Sequence, residues 1–313
     1  MNKTLKWQKQ SRHEKNMGEP LKLFDLTGRV AVVTGGAGLL GVEFCRTLVQ
    51  AGARVVVADI AGDAAMTVAS TLNEFQSSPY DETYGANKRA VGIQTDITVQ
   101  DSVQLMVNST LHEFDRLDIL VNSAAMNPKV VSKPDIPIKS SAERLEKLDP
   151  FEESFEDFPL ENWHHALDVN LTGMFLCCQA AGKQMMAQKG GVVVNLCSIY
   201  GLVGPDQRIY QVPGDSPHFK PVYYSASKAG VLGLTRYLAT YYRGKGIRVN
   251  ALTPGGIFNQ QDDAFVQGYA ERTLLGRMAE KSEMNGALLF LASDASSYMT
   301  GANLIVDGGW TAW

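Results

Sequence analysis

The stretch best equipped for chemistry is Tyr224-Ser225-Ala226-Ser227-Lys228, inside a run from Pro221 to Gly230. Val231, Leu232, Leu234, Tyr237 and Leu238 follow at helical spacing and the next proline is Pro254, so the run opens a long helix. Positions four apart on a helix share a face, and Tyr224 and Lys228 therefore point the same way. A phenol titrating near pH ~10 is a poor proton donor or base at neutral pH, and a neighbouring ammonium stabilises its phenolate. The pair is a candidate acid/base device; the plainer alternative is a surface tyrosine and lysine one turn apart.

A second constellation lies upstream. The strand-like Val30-Ala31-Val32-Val33-Thr34 leads into Gly35-Gly36-Ala37-Gly38-Leu39-Leu40-Gly41 and then a helix from about Val42 to Gln50. Gly36-x-Gly38-x-x-Gly41 matches a dinucleotide fingerprint in the strand, turn, helix context it requires. Such glycines let the backbone approach a pyrophosphate, and the free N–H groups at the helix start attract its charge; a glycine-rich turn without a ligand is the alternative. A second strand, Arg54 to Asp59, puts an acid about twenty residues beyond the glycines, where its carboxylate can accept hydrogen bonds from ribose hydroxyls. Asp59 would repel a 2'-phosphate and Ile60-Ala61-Gly62 supplies no cation, so NAD is expected over NADP. The alternative role for Asp59 is to cap a helix over Ala61 to Phe75.

These groups need a frame, and the chain supplies one by alternation. A strand ending Ile93-Gln94-Thr95-Asp96 precedes a helix over about Val99 to Phe114 and a strand over Leu117 to Asn122. Asp96 sits where an adenine contact would lie, or caps the next helix. Another helix starts near Pro159 and runs through Asn170 to about Gln188, followed by a strand over Gly191 to Ser198. The strand Ile247 to Leu252 ends at Thr253-Pro254-Gly255-Gly256; a mobile-looking stretch, a helix near Ser282 to Ser293 and a strand over Asn303 to Asp307 follow. The pattern implies an α/β fold, a single Rossmann-type doubly wound parallel β-sheet with helices on both faces. Two polar stretches interrupt it, at about 126–158 and 202–220, too long for simple connections. The first holds Pro128, Pro134, Pro137 and Pro150 and a short helix near Ala142 to Leu148. Residues 1–23 read as a flexible basic arm with Met17 as an alternative start, and 24–313 as one domain without repeats.

The 313 residues, 45% of them hydrophobic, can fill a substantial core, and a net charge of −4 offers no basic field for nucleic acid. Cys45, Cys177, Cys178 and Cys197 lie in apolar runs without metal-ligand spacing, so they read as buried free thiols in a reducing compartment. No metal site is expected. The arm has no apolar core, and no apolar run is long enough to span a bilayer, which points to a cytoplasmic protein without membrane contact.

Taken together, Thr34-Gly35 through Gly41, Asp59, Asp96, Asn122-Ser123-Ala124-Ala125, Asn170, Ser198, Tyr224-x-x-x-Lys228, Arg248-Val249-Asn250, Pro254-Gly255 and Val306-Asp307-Gly308-Gly309 resemble the short-chain dehydrogenase/reductase family, over about Phe24 to Gly309. The resemblance implies that Tyr224 exchanges a proton with the carbonyl or alcohol oxygen and that Ser198 hydrogen-bonds that oxygen. Lys228 would bind the nicotinamide ribose while lowering the Tyr224 pKa, and Asn170 would hold a water relaying protons from Lys228. It implies a cofactor site of Gly35, Gly36, Gly38, Leu39, Leu40, Asp59, Asp96, Ile97, Asn122, Ala124, Tyr224, Lys228, Pro254, Gly255 and Ile257, with hydride passing between substrate carbon and nicotinamide. Plainer roles are a strand-end hydroxyl for Ser198 and a buried amide bracing helices for Asn170.

The glycine spacing departs from the branch with subunits of this size, because Gly38 comes one position early and Leu39 takes the expected glycine's place. That spacing is similar to the branch acting on nucleotide sugars, so an epimerase or dehydratase retaining NAD is an alternative, as is a dinucleotide sensor without turnover. The short C-terminal part resembles the smaller branch. Both insertions follow strands that lead toward the ligand side of the sheet and so should reshape the substrate pocket. They bring Lys129, Lys133, Asp206, Gln207, Arg208, His218 and Lys220, groups suited to hydroxyls and anions. The runs Gly204 to Arg208, Thr235 to Ala239 and Ser296 to Met299 are similar to oxidoreductases of surface-sugar and flagellin-glycan pathways. A sugar-like alcohol, held at Ser198 and Tyr224 with Arg208 gripping a phosphate or carboxylate, is therefore the expected small-molecule substrate. Apolar residues on several faces of the helices at Asn162 to Gln188 and Val222 to Tyr242, among them Met174, Phe175, Met185, Leu234 and Tyr241, suggest a homodimer or homotetramer. The Trp310 to Trp313 tail would lie near a neighbour's site.

Overall fold

A computed structural model describes residues 20–74, 88–127, 154–211 and 218–313. Most of the basic arm, the helix expected near 142–148, Lys129 and Lys133 lie outside the described residues. After a short 3-10 turn at Pro20–Phe24, the elements run β1 (Val30–Thr34), α1 (Leu39–Gln50), β2 (Arg54–Asp59), α2 (Gly62–Asn73), β3 (Ala90–Gln94), α3 (Gln100–Phe114) and β4 (Ile119–Asn122). Next come α4 (Leu160–Leu167), one π-helical turn (Asp168–Thr172), α5 (Gly173–Ala187), β5 (Gly191–Leu196), α6 (Val222–Tyr241) and β6 (Ile247–Pro254). The chain closes with α7 (Asp263–Ala270), α8 (Asn285–Ala292) and β7 (Asn303–Val306).

The described strands form one seven-stranded sheet in the order β3-β2-β1-β4-β5-β6-β7, and every pairing is parallel. Every residue of β1 is buried, which is why Val30-Ala31-Val32-Val33 reads as a continuous apolar run rather than an alternating one. The two-residue period of the strand still sorts its side chains. Val30 and Val32 enter a cluster with Met106, Met174, Cys177 and Val231 from α3, α5 and α6, while Ala31 and Val33 enter the opposite cluster with Phe44, Leu48, Leu72 and Leu288 from α1, α2 and α8. A third cluster, rich in aromatic rings, gathers Tyr200, Tyr210, Tyr223, Phe265, Tyr269 and Trp310.

Two expectations change. The segment read as one helix from Pro159 to Gln188 is interrupted by the π turn that carries Asn170, a local widening of the kind found at functional sites. The stretch read as mobile contains α7, whose N-cap Asp262 accepts a hydrogen bond from Phe265 N at 2.8 Å. Within the tail, Trp310 is buried and stacks on Tyr269 of the same chain, ring centroids 4.3 Å apart. All four cysteines are buried free thiols, as their apolar settings implied.

Candidate active site

The first β-α turn is built around contacts only glycine allows. Gly35 has φ +63°, and a Cβ there would lie 2.7 Å from Ala124 Cα; a Cβ on Gly41 would lie 2.0 Å from Gly35 O. Gly38 is less constrained, meeting only Gly35 O at 3.1 Å, and serves as the N-cap residue of α1. The helix thus starts at Leu39, earlier than expected, and its first N–H groups lack intrahelical partners by geometry. Asp59 closes the turn from the side: Oδ2 accepts from Ala37 N and Oδ1 from Ala61 N, both at 3.0 Å. It does not cap α2, whose N-cap position is Ala61.

The catalytic end is assembled where β5 stops. Ser198 caps a 3-10 turn over Ile199–Gly201, its Oγ accepting from Tyr200 N at 3.3 Å. That turn lies directly on α6, since a Cβ at Gly201 would come within 2.7 Å of the Lys228 carbonyl carbon. Cys197 Sγ donates to Lys228 O at 3.2 Å, and Lys228 Nζ donates back to Leu196 O at 2.9 Å. Ser198 is thereby held beside Tyr224, close enough for its hydroxyl to favour the phenolate.

The electrostatics differ from expectation. Burial pushes the Tyr224 phenol up to about 12, the Ser198 hydrogen bond only partly opposing it. Lys228 Nζ stands 5.8 Å from the Tyr224 ring centroid and is turned onto a carbonyl, while burial holds its ammonium down to about 8. Desolvation therefore outweighs the lowering of the phenol that the Tyr-x-x-x-Lys spacing implies.

Asn170 is wholly buried in the π turn. Its Oδ1 accepts from Met126 N at 2.6 Å, and its Nδ2 donates to Met126 O at 3.1 Å and Ser227 Oγ at 3.2 Å. The side chain's polar atoms are thus engaged in bracing the segment after β4 against α6, the plainer of its two expected roles.

A cleft of about 520 Å³ joins the two ends. Of the residues expected to form the site, Gly35, Gly38, Leu39, Leu40, Asp59, Asp96, Ile97, Ala124, Ser198, Tyr224, Lys228, Pro254, Gly255 and Ile257 line it. Gly36, Asn122, Asn170 and Arg208 do not. Asn122 is buried, and its Nδ2 donates to Asn195 Oδ1 at 2.8 Å, beneath the cleft rather than in it. Arg208 is the plain correction. Its side chain is 82% exposed and grips Asp206 in bidentate fashion, at 2.8 Å and 2.7 Å, so the guanidinium expected to hold a substrate anion holds a neighbouring carboxylate. That hydrogen bonding keeps Asp206 down at about 2.

Two features of the cleft were not read from the sequence. One is an aromatic wall of Tyr200, Tyr210, Phe265 and Tyr269; Tyr210 Oη donates to Tyr200 Oη at 3.0 Å, and Tyr269 Oη accepts from Gly256 N. The available signal was Asp262 followed by Phe265 and Tyr269 at capping and one-turn spacing. The other is Lys220, noted only as a polar insertion residue, which is buried in the cleft wall with Nζ 4.2 Å from the Tyr224 ring centroid.

Comparison with known proteins places this geometry. A family model described as enoyl-(acyl carrier protein) reductase matches residues 37–311. The chain belongs to the short-chain dehydrogenase/reductase family and is an NAD(P)-dependent oxidoreductase acting on CH–OH groups. It is 37% identical over 292 residues to cis-4-hydroxycyclohexanecarboxylate dehydrogenase of Sinomonas cyclohexanicum, covering 91% of this chain and 97% of that one. It is 33% identical to D-threitol dehydrogenase of Mycolicibacterium smegmatis, covering 92% and 95%. Among solved structures, a short-chain dehydrogenase from Leptospira borgpetersenii with bound NAD+ superposes with TM-score 0.72 at 31% identity, covering 96% and 98%. A gluconate 5-dehydrogenase from Burkholderia cenocepacia with NADP and tartrate does so with TM-score 0.73 at 27% identity, covering 94% and 100%.

Proposed function

We propose that this protein is an NAD-dependent dehydrogenase interconverting a secondary alcohol and a ketone on a small polar substrate, a polyol or sugar derivative, with Tyr224 as the acid/base. The observation that carries the reading is the convergence of Ser198, Tyr224 and Lys228 on a cleft continuous with the Gly35 to Leu40 turn and Asp59. The residues present fit a dinucleotide, because a side chain at Gly41 would close the turn onto Gly35. Gly38, Leu39 and Leu40 would receive the pyrophosphate, Asp59 the adenosine ribose, and Lys228 the nicotinamide ribose. When bound, the dinucleotide accepts or supplies the hydride. Ser198 orients the substrate oxygen toward Tyr224, and the aromatic wall excludes water from it. Tyr224 takes the proton from the alcohol, or returns it to the ketone, at its Oη. The carboxylate at Asp59, with no cation in Ile60-Ala61-Gly62, supports NAD over NADP. The polyol and hydroxycarboxylate names of the relatives support the polar substrate class.

The test is cofactor absorbance with NAD or NADP against polyols, sugars, sugar phosphates, sugar acids and nucleotide sugars. Tyr224→Phe should lower turnover by about 10²-fold or more while leaving dinucleotide binding unchanged. Full activity in that variant overturns the assignment.

A further inference from the structure

The feature left over by this reading is a phenol in the aromatic wall. Tyr269 of α7 is 3% exposed and lines the cleft with Ser198 and Tyr224. Its ring is fixed by stacking on Trp310, with centroids 4.3 Å apart, and by a tilted contact with Phe265 at 6.1 Å. The ring also lies against the turn after β6, because a Cβ at Gly256 would run into it. That turn has ties of its own: Gly255 N donates to Val306 O at 2.9 Å, and Gly256 O accepts from Ala279 N at 2.9 Å. Gly256 N donates to Tyr269 Oη. A backbone N–H can only donate, so the phenolic oxygen accepts and its hydrogen still has to be placed. Among the described residues no acceptor takes it. Burial keeps that hydrogen on the oxygen, raising the phenol well above its ordinary value while the Gly256 N–H only partly opposes the rise. A buried O–H donor without an acceptor is costly, and an oxygen brought in by a ligand relieves that cost.

We infer that Tyr269 is a specificity-determining residue that donates a hydrogen bond to a second oxygen of the substrate, on a carbon neighbouring the one oxidised at Tyr224, so that the preferred substrates are vicinal diols rather than isolated secondary alcohols. The inference rests on the dehydrogenase reading of the cleft and narrows its substrate class. Tyr269 packs in one cluster with Tyr200, Tyr224 and Phe265, so its ring belongs to the end of the cleft that holds the reacting tyrosine. Its oxygen is joined to Gly256, between the two turn residues Gly255 and Ile257 expected at the cofactor. Oη therefore stands where the substrate end and the cofactor end of the cleft meet. Ser198 and Tyr224 hold the reacting oxygen, and Tyr269 holds its neighbour. A vicinal diol offers an oxygen to both sets of groups. A simple alcohol occupies the first and leaves the Tyr269 O–H unpaired behind the aromatic wall, which is how a site built to hydrogen-bond one substrate rejects the analogue lacking that oxygen.

Matched alcohols test this: butane-2,3-diol with butan-2-ol, and cis- and trans-cyclohexane-1,2-diol with cyclohexanol. Each is measured twice, as kcat/KM with NAD and as affinity for the NADH-loaded protein, where no oxidation can follow. At least one diol should exceed its simple partner by about tenfold or more in both measures. Tyr269→Phe keeps the ring and its stacking but lacks the hydroxyl. It should bring the diol down to the level of the simple alcohol, while NADH, titrated by its fluorescence, binds as tightly as to the parent. Equal values within every pair in the parent, no binding of any diol, or a preference that survives Tyr269→Phe overturns the inference. Equal loss on diols and simple alcohols in the variant also overturns it, assigning Tyr269 to bracing the Gly256 turn. Weakened NADH binding overturns it too, assigning the hydroxyl to the cofactor. Tyr269-dependent diol binding without Tyr224-dependent turnover would leave the hydrogen bond standing and remove the dehydrogenase reading. Tyr224-dependent turnover without a diol preference would do the reverse.

Discussion

At the residue scale the site is governed by desolvation more than by pairing. Lys220 and Lys228 have folded-state values of about 7 and about 8, both below the ordinary ammonium value, because each is buried. Between those values and ~10.5 the unfolded chain holds these protons and the folded chain does not, so stability gains from both groups as pH rises through that window. Tyr224 acts the other way, since its folded value of about 12 lies above that of an unfolded phenol, and stability falls above pH ~10. We expect the stability of Lys220→Met relative to the parent to drop on going from pH 7 to pH 9, with a slope of up to about 1.4 kcal/mol per pH unit. Urea unfolding at several pH values measures this. A difference independent of pH would mean that Lys220 stays charged in the folded protein. Asp59 makes a second residue-scale case. Its carboxylate ties the glycine turn to the start of α2, so Asp59→Ala should weaken NAD binding and reduce discrimination against NADP, as read by KM for the two cofactors.

At the element scale, the site exists because three segment ends are fastened to α6. The turn after β5 is fastened by Cys197 and Gly201, the segment after β4 by Asn170, and the second insertion by Lys220 lying over Tyr224. Asn170→Ala leaves the Met126 N–H and carbonyl without their side-chain partner and should cost about 1–3 kcal/mol. Thermal unfolding should show the loss, together with lower turnover, while an unchanged melting temperature would reduce Asn170 to a bystander. Gly41→Val should abolish dinucleotide binding, since its Cβ has no room above Gly35 O. How far the sequence disclosed these elements follows from the range of the interactions involved. β1, the glycine turn and the Tyr224 helix are set by local periodicity and were legible, as was the parallel character of the sheet. The π turn was not, because an extra residue per turn leaves the apolar pattern of Leu160 to Ala187 nearly unchanged. Arg208 was misplaced although its captor, Asp206, stands two residues before it: a short-range ion pair was available and a long-range ligand was preferred. Lys220 was named only among the polar groups of the second insertion, because its place in the cleft wall depends on Asn127 and Gln207, one of them distant in the chain.

At the scale of the whole molecule, the surface left by α5 and α6 bears on assembly. Met174 and Met185, counted in the sequence among the apolar residues spread over several helix faces, are buried in the chain's own core. The remaining apolar groups are external: Phe175 is 45% exposed, Tyr237 64% and Tyr241 63%, and the last two stack with ring centroids 6.1 Å apart. Rings of this size stacked on a helix surface are unusual for a face that meets only water, and an exposed apolar patch is the kind of surface on which identical chains pair. We expect the protein to be a homodimer or homotetramer through this face. Light scattering after size exclusion at micromolar concentration should give a multiple of 34.1 kDa. Tyr237→Glu with Tyr241→Glu should shift it toward the monomer, because two carboxylates would be desolvated against their own copies. The same variant separates assembly from chemistry, since neither tyrosine lines the cleft. If it turns monomeric while NAD binding persists, the cofactor site is complete within one chain. A parent protein that is already monomeric at that concentration would leave the exposed tyrosines without this role.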